Sequence, residues 1–179
     1  MAIHTFAAIY IGSYEVSLKI FEISARKNIR KIDYIRSRIE LGRDAYSRGV
    51  IGYELVEALC DTLEQFTKIM KEYQVDGYEA YAAAALRDVS NELFILDQIR
   101  TGLTVHVLSN SEHRFISYKS VAMRSEFEEL IKTGAAVVDV GGGGMQITIF
   151  SKGKVITTQH LGLGTIRMQE QLAKKSCSL

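Results

Sequence analysis

Residues 135–150, AAVVDVGGGGMQITIF, constrain the fold of this chain more than any other stretch. Four consecutive glycines extend neither a strand nor a helix at low cost. The apolar, β-favouring run 135–138 must therefore end in a turn, and the run 145–150 must return from it. Asp139 sits at the end of the first strand, where a carboxylate leaving an apolar run needs a polar role. Glycines Gly141, Gly142, Gly143 and Gly144 let backbone N–H groups approach an anion with no side chain in between. A carboxylate beside such a turn is placed to hold a cation or a water next to bound phosphate.

The rest of the chain surrounds this centre with alternating elements. Residues 4–11 read as a strand broken at Gly12 and Ser13, and 14–23 alternate as its hairpin partner. Residues 29–41 read as a third strand, followed by a polar loop over 42–49. Ile51, Leu55, Leu59, Leu63, Phe66 and Met70 recur every three or four positions, which predicts a helix over 51–73. A short strand over 77–85 runs into a small-residue turn. Asn91 is placed to cap a helix reaching Gly102. Residues 104–109 predict a strand, and Ser109, Asn110 and Ser111 are cap candidates for a helix over 112–132. Residues 154–161 predict a strand, and Gly162 and Gly164 open a last helix.

Three consecutive strands predict an antiparallel ribbon, and strands reached through helices should lie parallel to the first. The expectation is α/β, a mixed sheet with helices on its faces. The pair of strands from residue 135 then begins a repeat of the pair from residue 4.

Composition excludes several classes. With 22 Lys and Arg against 21 Asp and Glu, the net charge of +1 gives no argument for binding a nucleic-acid duplex or a membrane surface. No apolar run approaches bilayer length and no signal-peptide pattern opens the chain. Two cysteines, Cys60 and Cys177, make no disulfide framework. A reducing cytoplasm is the expected setting.

Five segments in order carry a resemblance: AAIYIGSYEVSLKIFEI (7–23), AAAALRDVSN (82–91), VLSNSEHRFISYKSV (107–121), VVDVGGGGMQI (137–147) and LGLGTIRM (161–168). Together they resemble the N-terminal half of the exopolyphosphatase / guanosine pentaphosphate phosphatase (Ppx/GppA) family. The resemblance implies an actin-like ATPase (ribonuclease H-like) fold. Residues 1–134 would form the first actin-like domain, and 135–179 would begin a second that the chain leaves incomplete. A homodimer formed through the exposed edge of that second part is a further expectation.

What the family implies is a cleft in which two glycine turns grip a polyanion, polyphosphate or guanosine pentaphosphate. Mg²⁺ would bridge phosphate oxygens beside Asp139, and water would attack the terminal phosphorus with help from a general base. Gly12, Ser13, Arg87, Gly141, Gly142, Gly143, Gly144 and Gln146 would contact phosphate. The base would be Glu112 or His113, because an ungapped match to the family's Ser-Gly-x-Glu-Glu-Ala-Arg puts His113 at the base position and a one-residue shift puts Glu112 there. Three departures stand out: Tyr10 where the first loop has Asp, His113 where Glu is expected, and Gln146 where Glu is usual. Gly144 also replaces a Ser or Thr. The expectation is a phosphoanhydride hydrolase impaired by these changes, or alternatively a non-catalytic polyphosphate- or nucleotide-binding sensor or assembly module.

Overall fold

The computed structural model describes residues 3–25, 28–99, 102–124 and 126–176, the last three of these as backbone. The chain forms two compact units, residues 1–107 and 108–179.

The first unit is a five-stranded sheet in the order β3-β2-β1-β4-β5. Strands β1 (Ile3–Ile11), β2 (Glu15–Ser24) and β3 (Ile29–Arg38) form the antiparallel ribbon expected from their consecutive patterns. Strands β4 (Gly77–Ala82) and β5 (His106–Val107) lie parallel to β1. With β2 alone reversed, this is the ribonuclease H-like arrangement of an actin-like ATPase domain.

Helix α2 (Tyr53–Glu72) buries Leu59, Leu63, Phe66 and Met70 of the anticipated stripe, with Val56 buried where Leu55 was expected and Leu55 half-buried. These side chains share one core with Ile9, Ile11, Leu18 and Ile20 of the sheet. Burial of such aliphatic and aromatic side chains contributes about 1.5–3 kcal/mol apiece. The helix starts two residues later than its periodicity, because Ile51 is buried from the preceding loop.

Four expectations are corrected here. Residues 42–49 are not a loop: α1 (Leu41–Arg48) forms by burying Leu41 and Ala45. It ends where Gly49, at φ 69°, takes the left-handed conformation and donates its N–H to Ala45 O. The small-residue turn after β4 is a helical turn, α3 (Ala84–Arg87). Asn91 precedes α4 (Glu92–Gln98) without capping it. Its side-chain amide instead donates to Ile51 O at 2.9 Å and accepts from Ile51 N at 3.2 Å, which ties two loops together. The strand at 104–109 shortens to the two residues of β5.

The second unit opens with α5 (Asn110–Ala122) and α6 (Phe127–Thr133), so the helix expected over 112–132 is broken in two. Strands β6 (Ala135–Val140), β7 (Met145–Ser151) and β8 (Lys154–Leu161) follow as an antiparallel sheet in the order β6-β7-β8. Helix α7 (Thr165–Ser176) comes last. Alternate residues of β7, namely Gln146, Thr148 and Phe150, are buried on one face. Phe150 stacks on Tyr118 at 6.0 Å and meets Phe127 edge-on at 5.4 Å, which seats α5 and α6 over that face. Among the described residues no helix is long and apolar enough to cross a membrane.

Candidate functional site

The second glycine turn is held from one side. Gly141 N–H donates to Gly144 O at 2.9 Å and closes the turn. The carbonyls then point to the start of α7: Gly141 O accepts from Thr165 N at 3.0 Å, and Gly142 O accepts from Ile166 N at 3.0 Å and from Arg167 N at 3.2 Å. Gly143 O accepts from Arg167 Nε at 3.0 Å. This contact also supplies acceptors for the first amides of α7, which have no partner within their own helix.

The consequence concerns the opposite side of the same peptide planes. Among the described residues no peptide bond is cis, and in a trans peptide the N–H points away from the C=O. With three successive carbonyls turned toward α7, the amides of Gly142, Gly143 and Gly144 point away from it. None of those three amides donates to a backbone carbonyl among the described residues. The three glycines are half-exposed rather than buried. Consecutive outward N–H groups are donors that an anion can use.

Gly164 makes the arrangement possible. A Cβ there would lie 2.2 Å from Gly142 O and 2.4 Å from Gly143 C, so only glycine allows α7 to reach the turn. Gly144 is constrained from another direction: a Cβ would lie 2.7 Å from Cε1 and 2.9 Å from Nε2 of His160, and 3.0 Å from Leu161 O. Sequence reasoning missed both Arg167 and His160. The signal available for Arg167 was its place within LGLGTIRM; His160 carried none, because its place opposite Gln146 follows from the strand register.

Beside the turn lies a cavity of about 180 Å³. Its floor includes Val137, Asp139, Gln146 and Thr148, and α5 contributes Ser117, Tyr118, Ser120 and Val121. Asp139 is half-buried and registered on Gln146. It is the only carboxylate lining the cavity among the described residues. No group of three or more His, Cys, Asp or Glu that could hold a metal occurs among them. A site with one carboxylate still fits Mg²⁺, which commonly takes one or two carboxylates and fills its shell with water and substrate phosphate.

Glu112 and His113 lie at the start of α5 and outside the cavity wall. Ser109 is the N-cap: its hydroxyl accepts from Glu112 N at 3.2 Å, and Glu112 Oε2 accepts from Ser109 N at 2.8 Å. This capping box fixes the rotamer of Glu112. His113 follows it with its amide on Ser109 O.

The remaining candidates belong to the first unit, and each has a protein partner. Gly12 N–H donates to Glu15 O at 3.0 Å, closing the β1–β2 turn, and a Cβ on Gly12 would approach that same oxygen to 2.9 Å. Tyr10 lies against this turn, its ring 3.2 Å from the same Cβ position. The Ser13 hydroxyl is 2.6 Å from Tyr46 Oη. Arg87, at the end of α3, bonds Asp88 through Nε at 2.9 Å. The structure thus brings Asp139, Gln146 and glycines 141–144 together in one unit, with Glu112 and His113 on a neighbouring helix, and holds Gly12, Ser13 and Arg87 in the other unit.

Residues 19–177 match the pattern of the Ppx/GppA phosphatase family. The chain is 26% identical to the Ppx/GppA family member of Aquifex aeolicus, covering 94% of this chain and 54% of that one at a TM-score of 0.75. It superposes on an exopolyphosphatase from Cytophaga hutchinsonii at a TM-score of 0.84 and 22% identity, covering 94% of this chain and 53% of that one. A bifunctional 3-dehydroquinate synthase/phosphatase of Fusobacterium nucleatum subsp. nucleatum is 24% identical over 173 residues, 92% of this chain and 26% of that protein. The chain therefore spans about half the length of the solved structures and about a quarter of that curated relative.

Proposed function

The chain belongs to the Ppx/GppA phosphatase family, and on that premise we propose that it grips the terminal phosphate of a phosphoanhydride chain and supports its slow hydrolysis. The substrate class is polyphosphate or guanosine pentaphosphate. The observation that carries this reading is the row of outward amides at Gly142, Gly143 and Gly144 next to Asp139.

In this mechanism the three amides bind non-bridging oxygens of the terminal phosphate and stabilise charge as the anhydride bond breaks. Because α7 holds the carbonyl side of the turn, the donors need no reorganisation when the anion arrives. Asp139, at the end of β6, would hold Mg²⁺, which when bound neutralises phosphate charge. Gln146 offers an amide where a second carboxylate would have added charge, so it hydrogen-bonds without strengthening a cation site. Glu112 or His113 is the candidate base for the attacking water. Loss of an effective base costs about 10²- to 10⁴-fold in rate, which sets the scale of the impairment.

One observation favours a second reading, a polyanion-binding module without turnover: Asp139 is the sole carboxylate of the cavity among the described residues. Both readings are tested by phosphate release from tripolyphosphate and from guanosine pentaphosphate with Mg²⁺, alongside calorimetric binding. The first expects slow Mg²⁺-dependent release that Asp139→Asn abolishes while binding persists. Binding with no release at all selects the second. Absence of binding contradicts both.

A further inference from the structure

Asp139, Gln146 and His160 form one row across β6, β7 and β8, since Asp139 is registered on Gln146 and Gln146 on His160. Residues opposite each other on a ladder present their side chains to the same face. The Thr148 and Thr158 hydroxyls, the next pair along that face, approach to 3.3 Å. Gly144 precedes Gln146 by two residues, so a side chain at 144 would project to this face as well.

That space is already filled. The His160 imidazole lies where the Cβ of any larger residue at 144 would go, within 2.7 Å at Cε1 and 2.9 Å at Nε2. His160 is exposed, and its ring has no hydrogen-bond partner among the described residues. An imidazole with no hydrogen-bond partner among the described residues thus sits against the glycine whose own amide points outward. An imidazole carries at least one N–H donor in either protonation state.

We propose that His160 is a phosphate-binding residue of this site, its ring donating to an oxyanion held by the amides of Gly142, Gly143 and Gly144, and that Gly144 is required to seat it. The inference rests on the reading that those amides take phosphate. It adds a side-chain ligand from β8, a strand that none of the residues assigned above occupies. Glycine at 144 and histidine at 160 act as a coupled pair: a hydroxyl side chain at 144 and the ring at 160 exclude one another.

The test is a titration of the ¹³C,¹⁵N-labelled chain with inorganic tripolyphosphate, reading the three glycine amides and the Cε1–H signals of the four histidines. The expected result is that His160 and the amides shift together with one dissociation constant while His4 and His106 stay still. His160→Ala should weaken binding about five- to tenfold, the size of one ordinary net hydrogen bond. Gly144→Ser should also weaken it, and Gly144→Ser with His160→Ala should bind about as His160→Ala alone does, a non-additivity diagnostic of contact. If the amides shift while His160 does not and His160→Ala binds normally, the role of His160 is overturned and the phosphate reading stands. If the two losses simply add, the coupling is overturned. Should no amide shift, the phosphate reading itself fails and takes this inference with it.

Discussion

Gly164→Ala tests the contact that orients the proposed anion site without touching any proposed ligand. The new methyl carbon would meet Gly142 O at 2.2 Å and the carbonyl carbons of Gly142 and Gly143 at 2.3 and 2.4 Å. These are backbone atoms, so no rotamer change relieves the overlap, and the turn and α7 must separate by about 1 Å to reach ordinary contact. Separation breaks the bonds from Thr165, Ile166 and Arg167 amides to Gly141 O and Gly142 O. At about 1 kcal/mol net for each, roughly 3 kcal/mol of local stabilisation is lost. The carbonyls are then free to turn, and with them the amides of Gly142, Gly143 and Gly144. Calorimetry with tripolyphosphate should show affinity falling at least about tenfold, equivalent to 1.4 kcal/mol or more. Hydrogen exchange in the first turn of α7 should accelerate in the same variant. Gly162→Ala serves as the control, because its methyl group meets nothing within 4 Å. If Gly164→Ala binds as tightly as the native chain and keeps α7 protected, the reasoning about the turn is refuted.

Other parts of the account are open to separate checks. Leu63, fully buried on α2, should cost about 2–5 kcal/mol in urea unfolding when changed to Ala, and a loss below 1 kcal/mol would argue against the core as described. Ser109→Ala removes the cap of α5 and should cost about 1 kcal/mol, visible as faster exchange of the amides at 110–113. Burial raises the pKa of Asp44, but the Arg48 hydrogen bond, the Gly52 amide and the Arg48 charge outweigh it, and the net direction is down. A depressed folded-state pKa means that its stabilisation is complete above the unfolded carboxylate range near pH 4 and is lost as pH falls through the lower folded value. Asp44→Asn should therefore flatten the acid limb of the stability–pH curve below about pH 4, and an unchanged limb would contradict the pairing.

Much of the fold was legible because strong periodicities left few choices. The stripe of α2 and the alternation over 14–23, which turns Val16, Leu18 and Ile20 of β2 inward, correspond to faces that are buried in the structure. What was illegible depended on partners distant in sequence. Helix α1 is polar along most of its length, and only the burial of Leu41 and Ala45 by the rest of the unit makes it helical. Asn91 looks like a cap from its neighbours, yet Ile51, forty residues away, takes its side chain. The four glycines at 141–144 announced a turn, whereas its orientation is set by Gly164 and Arg167 from a distant part of the chain. His160 was invisible for a related reason. Its relation to Gly144 appears only once the register Gln146↔His160 is known.

The central claim is that the amides of Gly142, Gly143 and Gly144 bind a phosphate oxyanion. A crystal structure grown with tripolyphosphate measures it directly. The account predicts phosphate oxygens about 2.7–3.2 Å from those three nitrogens, with the carbonyls still turned to α7. Ordered tripolyphosphate elsewhere on the chain, with those amides bonded to water alone, would contradict it.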